Sequence, residues 1–327
     1  MNIKLIYHMM PWEIDYMGLS FTSLKETLLL LRNIPSLSHF NFTIDSTLNL
    51  SSHIINWNKS KLPKEYFIEK YDAFSLLLRN PNHPKWGLGD DKNEYLCKHN
   101  QKVYEGDGLY GHLDLQRDCI GKEFDYYMHL CPDLKFSPFA IISMLEGAIL
   151  LKRDSIPNFV ITPSIFKMWD KSWDKITHPK YNTVNYDDWW KVDSVELGIL
   201  EELEYYTGTP PTNPIKNQYK QTPPKWAGWC DLYSKDLYEN MMRVPKGWKG
   251  YGGWDLYSML SIVHLQQNQD LKFTQLVTNH IVTKHSLGPL NTTNKPANTG
   301  NWLQSPTKNH LSLKNNVEKE NQKLNDE

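Results

Sequence analysis

The chain has 327 residues, of which 40% are hydrophobic, and a formal net charge of -1. That length allows one large domain or two small ones with a sizeable core. The near-zero charge speaks against a broad electrostatic grip on nucleic acid or on an anionic membrane.

The first element in chain order is the apolar run Ile3 to His8, which reads as a buried strand. A turn at Met10-Pro11 follows. Ser23, with Glu26 three residues on, predicts a capping box for a helix over 24–32. Alternation of Phe40, Phe42 and Ile44 predicts a strand over 40–48, and Pro63 opens a helix over 64–79. A polar loop over 80–101 leads to the glycine-rich turn 105–111. Next come a helix over 112–122, a strand over 126–131, a polar break at Pro132-Asp133, a helix over 138–151 and a strand over 159–162. This alternation of strands and helices predicts an α/β sheet with helices on its faces.

Four tryptophans, Trp169, Trp173, Trp189 and Trp190, stand among charged residues and suggest an aromatic-lined flap. Residues 207–225 read as irregular. Residues 226–265 are dense in Gly, Trp and Tyr before turning helical, and the polar stretch 291–327 reads as a poorly ordered tail. A single domain over 1–290 is expected, with a nucleotide-binding half over 1–135 and an acceptor half over 136–290.

Cys97, Cys119, Cys131 and Cys230 form neither a CxxC pair nor a zinc-finger spacing. Free thiols in a reducing, cytoplasmic setting are the expectation. No apolar run reaches membrane-spanning length, and the N-terminus turns polar too soon for a signal peptide. The sequons at Asn41, Asn49, Asn58 and Asn291 therefore read as chance matches. Twelve Trp and 18 Tyr either fill a core or present faces that suit sugars, where a ring stacks and a polar tip hydrogen-bonds.

Two constellations carry chemistry. The first is His129-Leu-Cys-Pro-Asp133, at the end of an apolar strand. Ligands of open α/β sheets bind beyond the carboxyl ends of strands, where a carboxylate can hold Mg²⁺ or Mn²⁺. The alternative is an aspartate that opens a turn. The second runs from Trp226-Ala-Gly-Trp229 to Gly247-Trp-Lys-Gly-Tyr-Gly-Gly-Trp-Asp255. Its glycines permit close backbone approach. Asp255 stands at the predicted start of a helix, either as a base that takes a proton from an attacking hydroxyl or as a plain N-cap.

Together, over roughly residues 102–265, these stretches resemble GT-A-fold glycosyltransferases, with a C-terminal part similar to inverting galactosyl- and N-acetylgalactosaminyl-transferases. The resemblance implies a GT-A (Rossmann-like) mixed sheet, mostly parallel and flanked by helices. It implies hexosyl transfer from a nucleotide-sugar donor to a glycan or other hydroxyl acceptor, inverting and assisted by Mn²⁺ or Mg²⁺. Asp255 falls on the family's catalytic base. Asp133 falls on the last Asp of the Asp-x-Asp metal motif, whose first position is Cys131 here. Trp254 replaces a glutamate that contacts the acceptor. The resemblance further implies His280 and His285 as metal ligands, and His8, Asp107, Cys131 and Asp133 around the nucleotide. It implies Trp226, Gly228, Trp229, Trp248, Tyr251, Gly252, Gly253 and Trp254 around the acceptor. Glu13 and Glu105 are weaker nucleotide candidates, and Arg117, Lys225 and Lys249 are phosphate candidates. Cys131 and Trp254 each remove a motif carboxylate, which keeps open a catalytically inactive carbohydrate-binding or structural protein on the same scaffold. A DNA glycosyltransferase is a third reading, disfavoured by the neutral charge. No nucleic-acid partner and no membrane span are expected.

Overall fold

The computed structural model describes residues 1–52, 62–80, 87–88, 97–106, 119–164, 228–244 and 254–284. Its strands are β1 (Asn2–Met9), β2 (Asn41–Asn49), β3 (Lys98–Tyr104), β4 (Tyr126–Leu130), β5 (Leu134–Phe136), β6 (Phe159–Ser164), β7 (Cys230–Ser234) and β8 (Thr274–Lys284). The helices are α1 (Met17–Leu31), α2 (Lys64–Arg79), α3 (Pro138–Arg153), α4 (Lys235–Arg243) and α5 (Trp254–Gln269). All eight strands join one sheet in the order β3-β2-β1-β4-β7-β6-β8-β5. β1 to β4 run parallel. β7 opposes both its neighbours, β4 and β6. β8 runs with β6 and against β5. Among the described strands, only β7 and β5 therefore oppose the rest. The chain has the expected α/β class: a mixed, mostly parallel sheet flanked by helices. The boundary expected at 135/136 falls inside β5, and both sides supply strands to the sheet.

β1 is covered on both faces because it lies centrally, between β2 and β4. Ile3, Leu5, Tyr7 and Met9 face one core, and Ile6 faces the other. The first core lies under α1, α2 and α3. Ser137 caps α3, its hydroxyl accepting from the Phe139 N–H at 3.2 Å, and Pro138 occupies the first turn where no N–H is needed. α3 comes so close to the sheet at Gly147 that a Cβ there would stand 2.7 Å from Leu276 Cδ2. The apolar stripe of α2, Phe67, Tyr71, Phe74 and Leu78, recurs at helical spacing. The second core lies under α4 and α5 and includes Tyr127, Tyr233, Tyr238, Trp254 and Tyr257.

Several local expectations change. Ser23 is not a cap, because α1 already begins at Met17, fed directly by a 3-10 turn over Pro11–Tyr16. The box forms instead at Met10, whose N–H donates to the Glu13 carboxylate at 2.8 Å. Ser23 is buried mid-helix, and its hydroxyl accepts from the Phe136 N–H at 3.2 Å, tying β5 to α1. Residues 119–122 are turn and irregular backbone rather than the end of a helix. β3, β5, β7 and β8 add strands that the pattern does not announce. β3 is an edge strand of polar residues, and an edge needs no apolar alternation on both faces.

Among the described residues no helix is long and apolar enough to cross a membrane. The four cysteines are free thiols. Asn49, one of the sequon asparagines, is fully buried.

Candidate functional site

The pairing of β4 with β7 brings the two constellations together. Leu130 stands opposite Cys230 in the antiparallel register. One residue beyond, the Cys131 N–H donates to the Trp229 carbonyl at 2.8 Å, and the Cys131 thiol points at the Gly228 carbonyl at 3.9 Å. Gly228 has a φ of 70°, a left-handed conformation that glycine adopts without steric cost. Segments 97 residues apart in sequence thus meet at the carboxyl end of the parallel strands.

Asp133 follows in the turn after β4 and is fully buried. Burying a carboxylate is costly unless its charge is compensated. Next in chain, β5 pairs with the end of β8, Leu134 opposite Lys284. His280 is buried on β8, its ring 6.4 Å from that of Phe139 at the start of α3. It lies where the β6–β8 register jumps, Pro163 facing Thr278 and Ser164 facing Ile281. Bulges of this kind re-aim side chains and recur next to active sites. Lys284 lies four residue steps along the strand from His280, about 13 Å at 3.3 Å per residue. Among the described residues no group of three or more His, Cys, Asp or Glu side chains is placed to hold a metal ion.

The opposite face of β4 carries a polar-tipped aromatic cluster. His129 stacks on Trp254 with ring centroids 3.8 Å apart and planes at 6°. Its Nε2 lies 3.1 Å from the Tyr238 hydroxyl, and Tyr238 stacks on Tyr127 at 4.2 Å. Trp254 Nε1 donates to the Tyr233 hydroxyl at 3.1 Å, which in turn donates to Asp231 Oδ2 at 3.2 Å. Burial pushes the Tyr233 phenol well above its ordinary range, and the Asp231 charge adds to the effect. Asp231 is 1% exposed and stands opposite His129 in the ladder. Trp254 is the first residue of α5, so the backbone of Asp255 begins beside β4, the strand that leads to Asp133. Trp254, 8% exposed, and Trp229, 7% exposed, are packed inside rather than presented at the surface.

His8 is half-buried at the end of β1, opposite Thr47. Glu13 is spent on the Met10 box, and Glu105 pairs with Lys64 on the surface at 2.7 Å. Sequence reasoning passes over Asn49, which ends β2. Its Oδ1 accepts from the Ser51 N–H at 3.0 Å, while its buried Nδ2 has no hydrogen-bond partner among the described residues. Reading Cys230-Asp-Leu-Tyr-Ser234 as a strand would have placed Asp231 and Tyr233 on one face and exposed that pair as well. Asp107, Trp226, Trp248, Tyr251, Gly252, Gly253 and His285 lie outside the described residues, as do Arg117, Lys225, Lys249 and the four-tryptophan stretch.

Two surface clefts lie at the other, amino end of the parallel strands. One, of about 290 Å³, is lined by Tyr126, Lys152, Phe159 and Lys235 among others. The other, of about 260 Å³, lies between the end of α1 and the starts of β2 and β3. Neither reaches Asp133.

No family model matches the sequence, and no curated protein matches it. Among solved structures, the chain is similar to S. aureus TarS at 10% identity and a TM-score of 0.36, covering 86% of this chain and 35% of that one. It is similar to S. aureus TarS 1-349 in complex with UDP at 10% identity and a TM-score of 0.36, covering 86% of this chain and 57% of that one. It is also similar to CMP:2-keto-3-deoxy-manno-octonic acid synthetase complexed with CTP, at 10% identity and a TM-score of 0.34, covering 85% of this chain and 90% of that one. The chain thus spans about a third of TarS and just over half of its 1-349 piece.

Proposed function

We propose that this chain is a glycosyltransferase that moves a sugar from a nucleotide-sugar donor to a hydroxyl acceptor with inversion. The observation that supports this reading is the meeting of Cys131-Pro-Asp133 with Gly228-Trp229, beside the first turn of the helix that carries Asp255. In the proposed reaction Asp255 takes the proton of the acceptor hydroxyl as its oxygen attacks the anomeric carbon. The bond from that carbon to the diphosphate breaks, and its electron pair leaves on the diphosphate oxygen. Donors around the leaving group supply electrostatic stabilisation as charge builds there.

Asp133 is the residue that would hold a divalent cation, since hard carboxylate oxygens suit Mn²⁺ and Mg²⁺. A bound cation would neutralise the donor's diphosphate. His285 follows Lys284, and Lys284 pairs with the residue after Asp133, which supports His285 over His280 as a second ligand. The Asn49 amide, without a partner among the described residues, suits a carbonyl of the nucleobase, because a buried donor without a partner gains most from an acceptor. Trp226, Trp248 and Tyr251 are proposed to stack on the acceptor. The packing of Trp254 supports a role in holding the site together rather than touching the acceptor.

A second reading, a carbohydrate-binding or structural protein without activity, draws on the two motif positions that lack carboxylates, Cys131 and Trp254. Thermal melts with a panel of nucleotide-sugars, with and without Mn²⁺, test binding, and release of nucleotide from the same donors separates enzyme from binder. The expected result is a Mn²⁺-dependent rise in melting temperature that Asp133→Ala abolishes, together with slow donor hydrolysis. Melting temperatures unmoved by every donor would sink the transferase reading.

A further inference from the structure

A core histidine needs only to fill space, yet His129 is held on a face and at an edge. Its ring lies flat on Trp254 at 3.8 Å, and its Nε2 meets the Tyr238 hydroxyl at 3.1 Å. Trp254 is itself held at its edge, its Nε1 donating to Tyr233 at 3.1 Å. A face contact and an in-plane hydrogen bond together remove both tilting and rotation of the indole. One turn along α5, the Tyr257 hydroxyl donates to the Met241 carbonyl at 2.7 Å and lies 3.2 Å from that of Val244. The Ser258 hydroxyl closes the turn onto the Trp254 carbonyl at 2.8 Å. The first turn of α5 is thereby pinned to the sheet through Trp254 and to α4 through Tyr257.

We propose that His129 is a positioning residue for sugar transfer: by clamping Trp254 against β4 it fixes the backbone from which Asp255 acts. The inference rests on the reading of Asp255 as the base. Transfer demands that the reacting oxygen, the anomeric carbon and the base stay aligned, and a displacement of about 1 Å costs on the order of 100-fold in rate. The clamp acts on turnover and not on donor affinity, since neither His129 nor Trp254 is assigned to the donor.

The test separates the two contacts. His129→Phe keeps a flat ring over Trp254 and loses the bond to Tyr238. His129→Gln keeps a polar end for Tyr238 and loses the ring. UDP-glucose and UDP-N-acetylglucosamine hydrolysis with Mn²⁺ serves as the assay, water taking the place of the acceptor hydroxyl and giving its proton to Asp255. The expected result is kcat lowered on the order of 10- to 100-fold in His129→Gln, KM for the donor changed less than about twofold, and His129→Phe restored to within about threefold of the parent. In a chain labelled with 5-fluorotryptophan, the Trp254 resonance, assigned from Trp254→Phe, should move in His129→Gln and stay in place in His129→Phe. Equal kcat in all forms, or losses that simply follow the melting temperature in both variants, would overturn the clamp while leaving the proposed reaction standing. A parent chain that hydrolyses neither donor would overturn both.

Discussion

The two faces of the sheet are built from different materials. The face under α1, α2 and α3 is largely aliphatic, with Leu5, Ile44, Leu145, Ile161 and Leu232 fully buried. Its polar members are few, chiefly Tyr7 bonded to Ser20 and the trio Ser46, Tyr71 and His99. The face under α4 and α5 is dominated by rings with polar tips: His129, Tyr127, Tyr233, Tyr238, Trp254 and Tyr257. Aliphatic packing is non-directional, so it stabilises without dictating orientation. Rings joined by hydrogen bonds accept one arrangement and penalise the others. One face supplies cohesion, and the other supplies register for the first turn of α5.

That contrast can be broken by substitutions that act on one face and spare the other. Asp255→Asn should lower donor turnover on the order of 10²- to 10⁴-fold and leave the melting temperature in place. Turnover and melting curves measured side by side check it, and undiminished turnover removes the base assignment. Leu145→Ala, in the aliphatic face, should do the reverse. It should cost about 2–5 kcal/mol in urea unfolding through the cavity it leaves, with donor affinity unchanged. Tyr233→Phe removes a hydroxyl that both accepts from Trp254 and donates to Asp231. It should cost about 1–3 kcal/mol for the buried groups left without it, and turnover should fall with it.

The smallest effect is a pH dependence seated in the aliphatic face. Burial, reinforced by the Arg79 charge, lowers the His99 pKa from 6.5 to about 4, against an opposing pull from Asp45. Below 6.5 the unfolded chain takes up a proton that the folded chain refuses. Stability is therefore fully present above 6.5 and declines as pH falls towards 4. Urea unfolding at pH 5 should give about 1–2 kcal/mol less than at pH 7 from this group, and His99→Gln should flatten that difference. An unchanged slope in the variant would assign the dependence to other groups.

Legibility in the sequence followed the strength of the local pattern. α2 lies over the predicted span because Pro63 and a regular apolar stripe mark it at both ends. β1, β2, β4, α3 and β6 are legible for the same reason. β7 is five residues long and β5 three, too short for a period to declare itself. Their partners come from distant parts of the chain, so pairing rather than propensity makes them strands. Asp133 and Asp255 stand out because each follows a run of backbone punctuation, Pro132 in one case and glycines in the other. Asp231, Asn49 and the Trp254–His129 stack leave no such trace. Their significance is in burial and in partners across the sheet, which composition cannot report.

The place of β7 has a consequence for how the chain folds. It separates β4 from β6, so these two never pair with each other. During synthesis β1 to β4 emerge early, yet the flank of β4 has no neighbour until residues 230–234 leave the ribosome. Such long-range closure is slow, and an unpaired strand edge invites association with other chains meanwhile. Truncations that stop short of Ser234 should therefore yield aggregates rather than a folded front half.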